Sequence, residues 1–229
     1  MSTHKKPDVP GTTPVRGMKR TIRKEDTRRM FIDAALQLME AQGVEALSVR
    51  RLSEMTGYSF PALYNYFPNM TCLYQHCIHV LLEDMLTRVT HGLPADPDSA
   101  WEQVLEMSRR TLDYWLERPL AFELVFMVKL EAPPPEEIRD ALMRPPIIQH
   151  VRRALEKLMK QRAVPDSEWE AWIQLVLSHM AGRMMAWIRR TQEADADRFR
   201  SAYLRELELL LGGMTRETGT GVAAGRHEA

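Results

Sequence analysis

The chain has 229 residues, 45% of them hydrophobic and 27% charged, a globular balance that excludes wholesale disorder and collagen-like repeats. No apolar run approaches the ~18 residues of a membrane span, and no apolar block follows the N-terminal charges, so no signal peptide is expected and the expected address is cytoplasmic. The 31 basic and 31 acidic residues cancel, but residues 1–68 hold eleven Lys/Arg against seven Asp/Glu and residues 69–229 hold 20 against 24, which predicts a small domain facing a polyanion and a larger one with another task.

In chain order, residues 1–21, rich in Ser, Thr, Pro, Gly and Lys, read as a flexible basic arm. About nine helices then alternate with proline and glycine punctuation, and the lack of a period-two run of Val, Ile, Thr and aromatics makes the chain all-α. The first helix spans about Arg23 to Gln42, with Phe31, Ala34, Ala35, Leu38 and Met39 on one face and Gly43 as its stop. Two short helices are expected at about Ser48 to Met55 and Ser59 to Phe67. A long one follows, capped by Asn69 and reaching about His91. Ser99 with Glu102 caps the next, to about Glu117, and Pro119 opens another. Segments 136–143 and 146–162 come next. Ser167 with Glu170 is expected to cap a helix to about Arg190, and Asp195 starts the last, which stops at Gly212 and Gly213. Residues 212–229 read as a flexible tail.

The segment from Ser48 to Phe67 carries the functional signal. Two short helices joined by a tight turn at Thr56-Gly57-Tyr58 make a helix-turn-helix, because glycine permits a backbone conformation that a side chain resists. Val49, Leu52, Met55, Leu63 and Phe67 fall on inward faces. Phe60, Pro61, Ala62, Tyr64, Asn65 and Tyr66 then point outward, with Ser59 as the expected cap of the second short helix. Such a helix presents its N-terminal end to a major groove: Phe60 and Ala62 suit thymine methyls, Asn65 suits an adenine edge, and the hydroxyls of Tyr64 and Tyr66 suit phosphates.

Residues 31–73 resemble the DNA-binding domain of the TetR family of bacterial repressors. The motifs are Ala34-Ala35-Leu36, Gly43, Ser48-Val49-Arg50, Thr56-Gly57-Tyr58-Ser59 and Leu63-Tyr64-Asn65-Tyr66-Phe67, at matching spacing without a gap. The family usually follows Phe-Pro with Ser-Lys-Glu, whose lysine meets a phosphate. This chain has Asn69-Met70-Thr71, and the basic arm is the expected substitute. The resemblance implies residues 22–68 as the helix-turn-helix domain, with Ser48 and Arg50 beside the recognition residues. It implies residues 69–211 as a ligand-binding and dimerisation domain, and so a ligand-responsive repressor. One short recognition helix reads too few base pairs alone, so a homodimer on a pseudo-palindromic double-stranded DNA operator is expected, and the Met and Trp supply of the larger domain makes the expected releasing effector small and apolar.

The remaining residues fit that division. Ala171, Ser178, Gly182 and Ala186 form a small-residue stripe that permits close helix approach, and Phe199, Tyr203, Leu207 and Leu210 form an apolar stripe on the last helix. Together they are the expected four-helix dimer interface, the alternative being that both pack within one subunit. Trp115, Phe122, Phe126, Met127, Met143, Trp172 and Met180 supply an adaptable apolar pocket, with His179 as an orienting polar group.

Cys72, His76, His79 and Glu83 share a helical stripe opposite Leu73, Cys77, Leu81 and Met85, which raises the alternative of a metal or thiol redox sensor. Cys72 and His79 are about 10.5 Å apart along the axis, too far for one ion, so no metal and no cofactor is assigned. Cys72 and Cys77 are expected as reduced thiols. No Gly-rich phosphate loop, His-Glu-x-x-His, Cys-x-x-Cys or nucleophile elbow is present, and no catalytic residue is assigned. A helical enzyme would show turnover, and a protein-interaction module would survive neutral polar replacement of the outward face at Phe60 to Tyr66.

Overall fold

The computed structural model describes residues 16–93, 99–190 and 195–214. Among them are ten α-helices and two 3-10 turns, with no strand. The helices are α1 (Arg16–Gln42), α2 (Val49–Thr56), α3 (Phe60–Tyr64), α4 (Met70–Thr90), α5 (Ala100–Glu117), α6 (Pro119–Phe126), α7 (Glu136–Met143), α8 (Pro146–Gln161), α9 (Trp169–Arg190) and α10 (Ala196–Gly212).

Most boundaries follow the chemistry of their caps. Gly43 ends α1 at φ 83°, its N–H donating to the Met39 carbonyl at 2.7 Å, a left-handed stop that glycine adopts without a Cβ penalty. Asn69 accepts from Cys72 N at 2.8 Å, Ser99 from Glu102 N at 3.3 Å, and Asp195 from Asp197 N at 2.9 Å and Arg198 N at 3.1 Å, each filling an orphan donor of a first turn.

Four expectations are corrected. Helix α1 begins at Arg16, so residues 16–21 are helical rather than arm. Arg16, Met18, Lys19 and Arg20 there are good helix formers, and adding residues to an existing helix avoids the cost of a new nucleus. Residues 1–15 lie outside the described residues. The second short helix closes at Tyr64, after which Asn65 N–H turns to the Ala62 carbonyl at 3.2 Å in a 3-10 pattern ahead of Pro68. Ser167 sits in the 3-10 turn Asp166–Glu168 that runs into α9, and Glu170 turns instead to Arg152 at 2.7 Å and Gln174 at 3.0 Å. Met214, read as tail, is fully buried at the end of α10. Residues 215–229 lie outside the described residues.

Helices α1, α2 and α3 enclose Phe31, Ala35, Leu38, Leu52, Leu63 and Phe67. Burial of each large apolar side chain here stabilises by about 2 kcal/mol. This small domain rests on α4 and α6. Helix α4 is the central strut, packed against α1, α5, α6, α7 and α8, while α10 covers α5 and α9. Its residues 72, 73, 75–78, 81, 82, 85 and 89 are buried, nearly all round, which is why its apolar pattern lacks a single face.

Candidate nucleic-acid interface and effector cavity

Ser48 starts α2 by accepting from Arg51 N at 3.4 Å, and Gly57 ends it at φ 74°, its N–H donating to the Ser53 carbonyl at 2.9 Å. Thr56 Oγ1 donates to the Leu52 carbonyl at 2.7 Å and receives Tyr58 N–H at 3.4 Å. This turn fixes α3 with Leu63 inward. Phe60 and Tyr64 are each 48% exposed, and Ser59, Pro61 and Asn65 are exposed beside them. Large apolar rings projecting from a short surface helix mark a face kept for contact with another molecule.

Three details differ from expectation. Ser59 makes no side-chain cap; its carbonyl accepts from Ala62 N at 3.0 Å and Leu63 N at 3.3 Å, which is sufficient with Pro61 in the first turn. Ala62 and Tyr66 are half-buried, and the Tyr66 ring lies 5.7 Å from that of Phe31. Tyr58, not singled out from the sequence, is 39% exposed and meets Phe31 edge-on at 5.4 Å. Aromatic contact to Phe31 therefore holds both flanks of α3. Arg50 is exposed in an i,i+4 pair with Glu54 at 2.9 Å, a weak tether from which it can turn to a phosphate. On α1, Arg29 pairs with Asp33 and Arg28 with Glu137, both at 2.9 Å.

A cavity of about 430 Å³ opens among α4 to α9. Trp115, Phe126, Met143 and Met180 line it as expected. Phe122 does not: it is fully buried behind the wall, stacked on Phe126 at 4.4 Å and edge-on to Trp115 at 5.6 Å. Met127 is 43% exposed just beyond α6. Trp172 lies against Gly213 at the end of α10. His179 stacks on Tyr203 at 5.3 Å with Nε2 3.4 Å from Glu206, and burial pushes its pKa below the ordinary value. These positions were misassigned because residue type reports burial but not which cavity a side chain borders.

The sequence reading missed the contribution of α4, where Gln75, Ile78, Leu82 and Met85 face the cavity at i, i+3, i+7 and i+10. A glutamine among apolar neighbours was the available signal. Gln75 is 1% exposed and donates from Nε2 to the Ala132 carbonyl at 2.7 Å. Thr111, a second polar lining residue, donates to the Met107 carbonyl at 2.8 Å. Among the described residues, no Lys, Arg, Asp or Glu lines the cavity.

The stripe read from Cys72 to Glu83 is divided by packing. Cys72 and His76 are buried on one side of α4, as Cys77 is on the other, while half-buried His79 pairs with exposed Glu83 at 3.5 Å. Burial pushes both thiols above the ordinary value, Cys77 furthest, so neither is a ready thiolate. Among the described residues no three His, Cys, Asp or Glu side chains are grouped to hold a metal ion, and no helix is long and apolar enough to cross a membrane.

On α9, Ala171, Ser178 and Gly182 are exposed, Ala186 is half-buried, and Leu175 on the same stripe is 43% exposed. A Cβ at Gly182 would meet nothing within 4 Å. The expected α10 stripe is corrected. Tyr203 and Leu207 are in the core, Leu210 is half-buried, and half-buried Phe199 lies 5.7 Å from Trp187. An apolar stripe has the same period whether it meets a neighbour in its own chain or in another.

Residues 31–77 match the family described as bacterial regulatory proteins, tetR family. The chain is 35% identical over 113 residues to the HTH-type transcriptional repressor DrrR1 of Streptomyces coeruleorubidus, covering 48% of this chain and 37% of that protein. It is 40% identical over 80 residues to the class C tetracycline repressor protein of Escherichia coli, covering 34% of each. Over residues 31–77 the chain is similar to the tetR family. It spans about a third of the length of these two relatives in the matched regions. Beyond them, the TetR fold extends over most of the chain: a solved structure of RolR in complex with the ligand resorcinol has a TM-score of 0.60 at 17% identity, covering 86% of this chain and 97% of that one.

Proposed function

We propose that this chain is a TetR-family transcriptional repressor whose homodimer binds a pseudo-palindromic operator through α3 and is released by a small uncharged effector held in the cavity among α4 to α9. The observation that carries the reading is one helix shared by two sites: α4 begins under the helix-turn-helix and lines the uncharged cavity further along. An occupant that moves α4 tilts α3, and in a dimer that changes the separation of two recognition helices.

Phe60, Tyr64 and Asn65 are the base-facing and phosphate-facing groups, with Ser48 and Arg50 on the flanking backbone. The exposed small-residue face of α9, from Ala171 through Leu175, Ser178 and Gly182, supplies the dimer contact. A cavity whose described lining residues are all uncharged disfavours an ionised ligand, because the ligand's lost hydration has no compensating partner among them. DrrR1 and the tetracycline repressor are named as repressors, and RolR holds resorcinol, an uncharged aromatic, in keeping with this class. The site of action is the cytoplasm, on the chromosome, with no membrane role.

Selection of bound fragments from random duplex DNA tests the reading, repeated with uncharged aromatic compounds present. The expected product is an inverted repeat with half-sites about one helical turn apart, lost when an effector binds. Recovery of asymmetric single sites, or release by chelators or thiol oxidants and not by uncharged compounds, refutes it.

A further inference from the structure

We infer that the Arg28–Glu137 ion pair is a second route, beside α4, by which occupancy of the cavity reaches the DNA-binding domain, an inference that rests on the effector reading above. The segment 130–145 is cavity wall: Leu130, Ala132, Pro134, Leu142, Met143 and Pro145 face the space. Proline corners at 133–135 and 145–146 bound α7, so the short helix shifts as a unit on hinges that cannot extend it. Leu142 and Met143 at its end touch the cavity, and Glu137, about 7.5 Å back along the axis from Leu142, reaches out of the wall to Arg28 Nη2 at 2.9 Å.

Arg28 belongs to α1. Its guanidinium carbon lies 5.7 Å from the ring centroid of Phe67, the fully buried residue that closes the α3 segment. Phe67 in turn meets the His76 ring edge-on at 5.5 Å, and His76 Nε2 lies 3.7 Å from the same Glu137 oxygen. One carboxylate of α7, the helix whose far end borders the cavity, therefore touches α1 and α4 at the residue packed under α3. Arg28 Nε and His76 Nε2 are buried without a hydrogen-bond partner, and Glu137 is the carboxylate that compensates the Arg28 charge at this corner.

The cavity acts on the same carboxylate from two directions. Gln75, the neighbour of His76, holds the Ala132 carbonyl at 2.7 Å while lining the cavity. A ligand that draws the Gln75 amide, or presses on Leu142 and Met143, moves α7 relative to α4 and withdraws Glu137 from Arg28. Free of its partner, Arg28 no longer fixes α1 against Phe67, and the orientation of α3 loosens.

The test uses the full chain, its selected operator, and N-phenyl-1-naphthylamine as an uncharged fluorescent probe, with Glu137→Gln, Arg28→Gln and the double variant. Probe binding is followed by fluorescence, operator affinity by anisotropy, and the amides of residues 60–67 by hydrogen exchange. The expected result is unchanged probe binding in Glu137→Gln, with probe-induced operator release and exchange at residues 60–67 each reduced about two- to fivefold, the range of a half-exposed ion pair. The double variant should add nothing further. A probe that binds Glu137→Gln and releases operator as from the unaltered protein overturns the inference and leaves the effector reading standing. A probe that binds the unaltered protein without weakening operator affinity refutes the effector reading instead, and the exchange at residues 60–67 still decides the ion pair. Equal exchange in the unaltered protein and Glu137→Gln, with and without probe, overturns it.

Discussion

Acidification should unfold this protein through His76. The side chain is 5% exposed, and its pKa is pushed from 6.5 to about 4, first by burial and then by Arg28 and His79, with Glu137 opposing. A native pKa below the unfolded value means that the folded chain binds fewer protons across the interval. Stability is therefore complete above the unfolded pKa of 6.5 and is lost as pH falls toward the folded value of about 4. That gap corresponds to about 3 kcal/mol, of which about 2 kcal/mol is expressed by about pH 5. Urea unfolding at fixed protein concentration, at about pH 7.5 and about pH 5, measures it, and the second figure corresponds to a melting shift of about 4–8 °C. His76→Gln keeps a neutral polar group and removes this titration, so its stability should fall by about 2 kcal/mol less between the two conditions. His179, also pushed down, is common to both proteins and cancels. Glu106, drawn to about 2 chiefly by its hydrogen bond to Arg109, titrates in a lower window. Equal losses in the two proteins would refute the reasoning.

Four further outcomes follow from particular residues. Gly57→Ala places a side chain at φ 74° in open space, so thermal melts should show a loss of about 1 kcal/mol from backbone strain alone, with Gly57→Asn milder. Tyr64→Phe should weaken binding to every duplex about equally, whereas Asn65→Ala should change preference at one base position, both read by competition anisotropy. The double substitution Leu175→Arg with Gly182→Arg should give monomers by analytical ultracentrifugation at unchanged helical circular dichroism, since both sites face open solvent in one subunit. Phe126→Ala should alter the response to uncharged compounds while operator affinity without ligand stays within about twofold, because the ring borders the cavity and not α3.

Local chemistry made much of this protein legible. Asn69, Ser99 and Asp195 cap helices because a short polar side chain satisfies a first-turn amide, and Gly57 ends α2 because few other residues tolerate φ 74°. The turn at Gly57 followed by Leu63 and Phe67 turned inward sets the exposed face of α3, so Phe60, Tyr64 and Asn65 could be named from spacing alone. Each of these features is settled within about five residues, where the geometry of a helix leaves one arrangement.

Other features depended on which helices meet. Trp172 and His179 carry the same pocket-like chemistry as Trp115 and Met180, yet α10 covers the first pair and the cavity opens beside the second. Tyr203 and Leu207 form as regular an apolar stripe as any dimer face, and packing inside the subunit consumed it while leaving Leu175 and Gly182 on α9 uncovered. The node of Arg28, Phe67, His76 and Glu137 joins residues up to 109 positions apart, and no local pattern announces it. Sequence by itself determined the order of the helices, the caps at Asn69, Ser99 and Asp195 and the exposure of Phe60, Tyr64 and Asn65, because those are short-range steric and hydrogen-bonding choices. The tertiary structure alone decided which apolar faces became core, cavity or open surface, because a hydrophobic side chain is stabilised equally by any partner that excludes water.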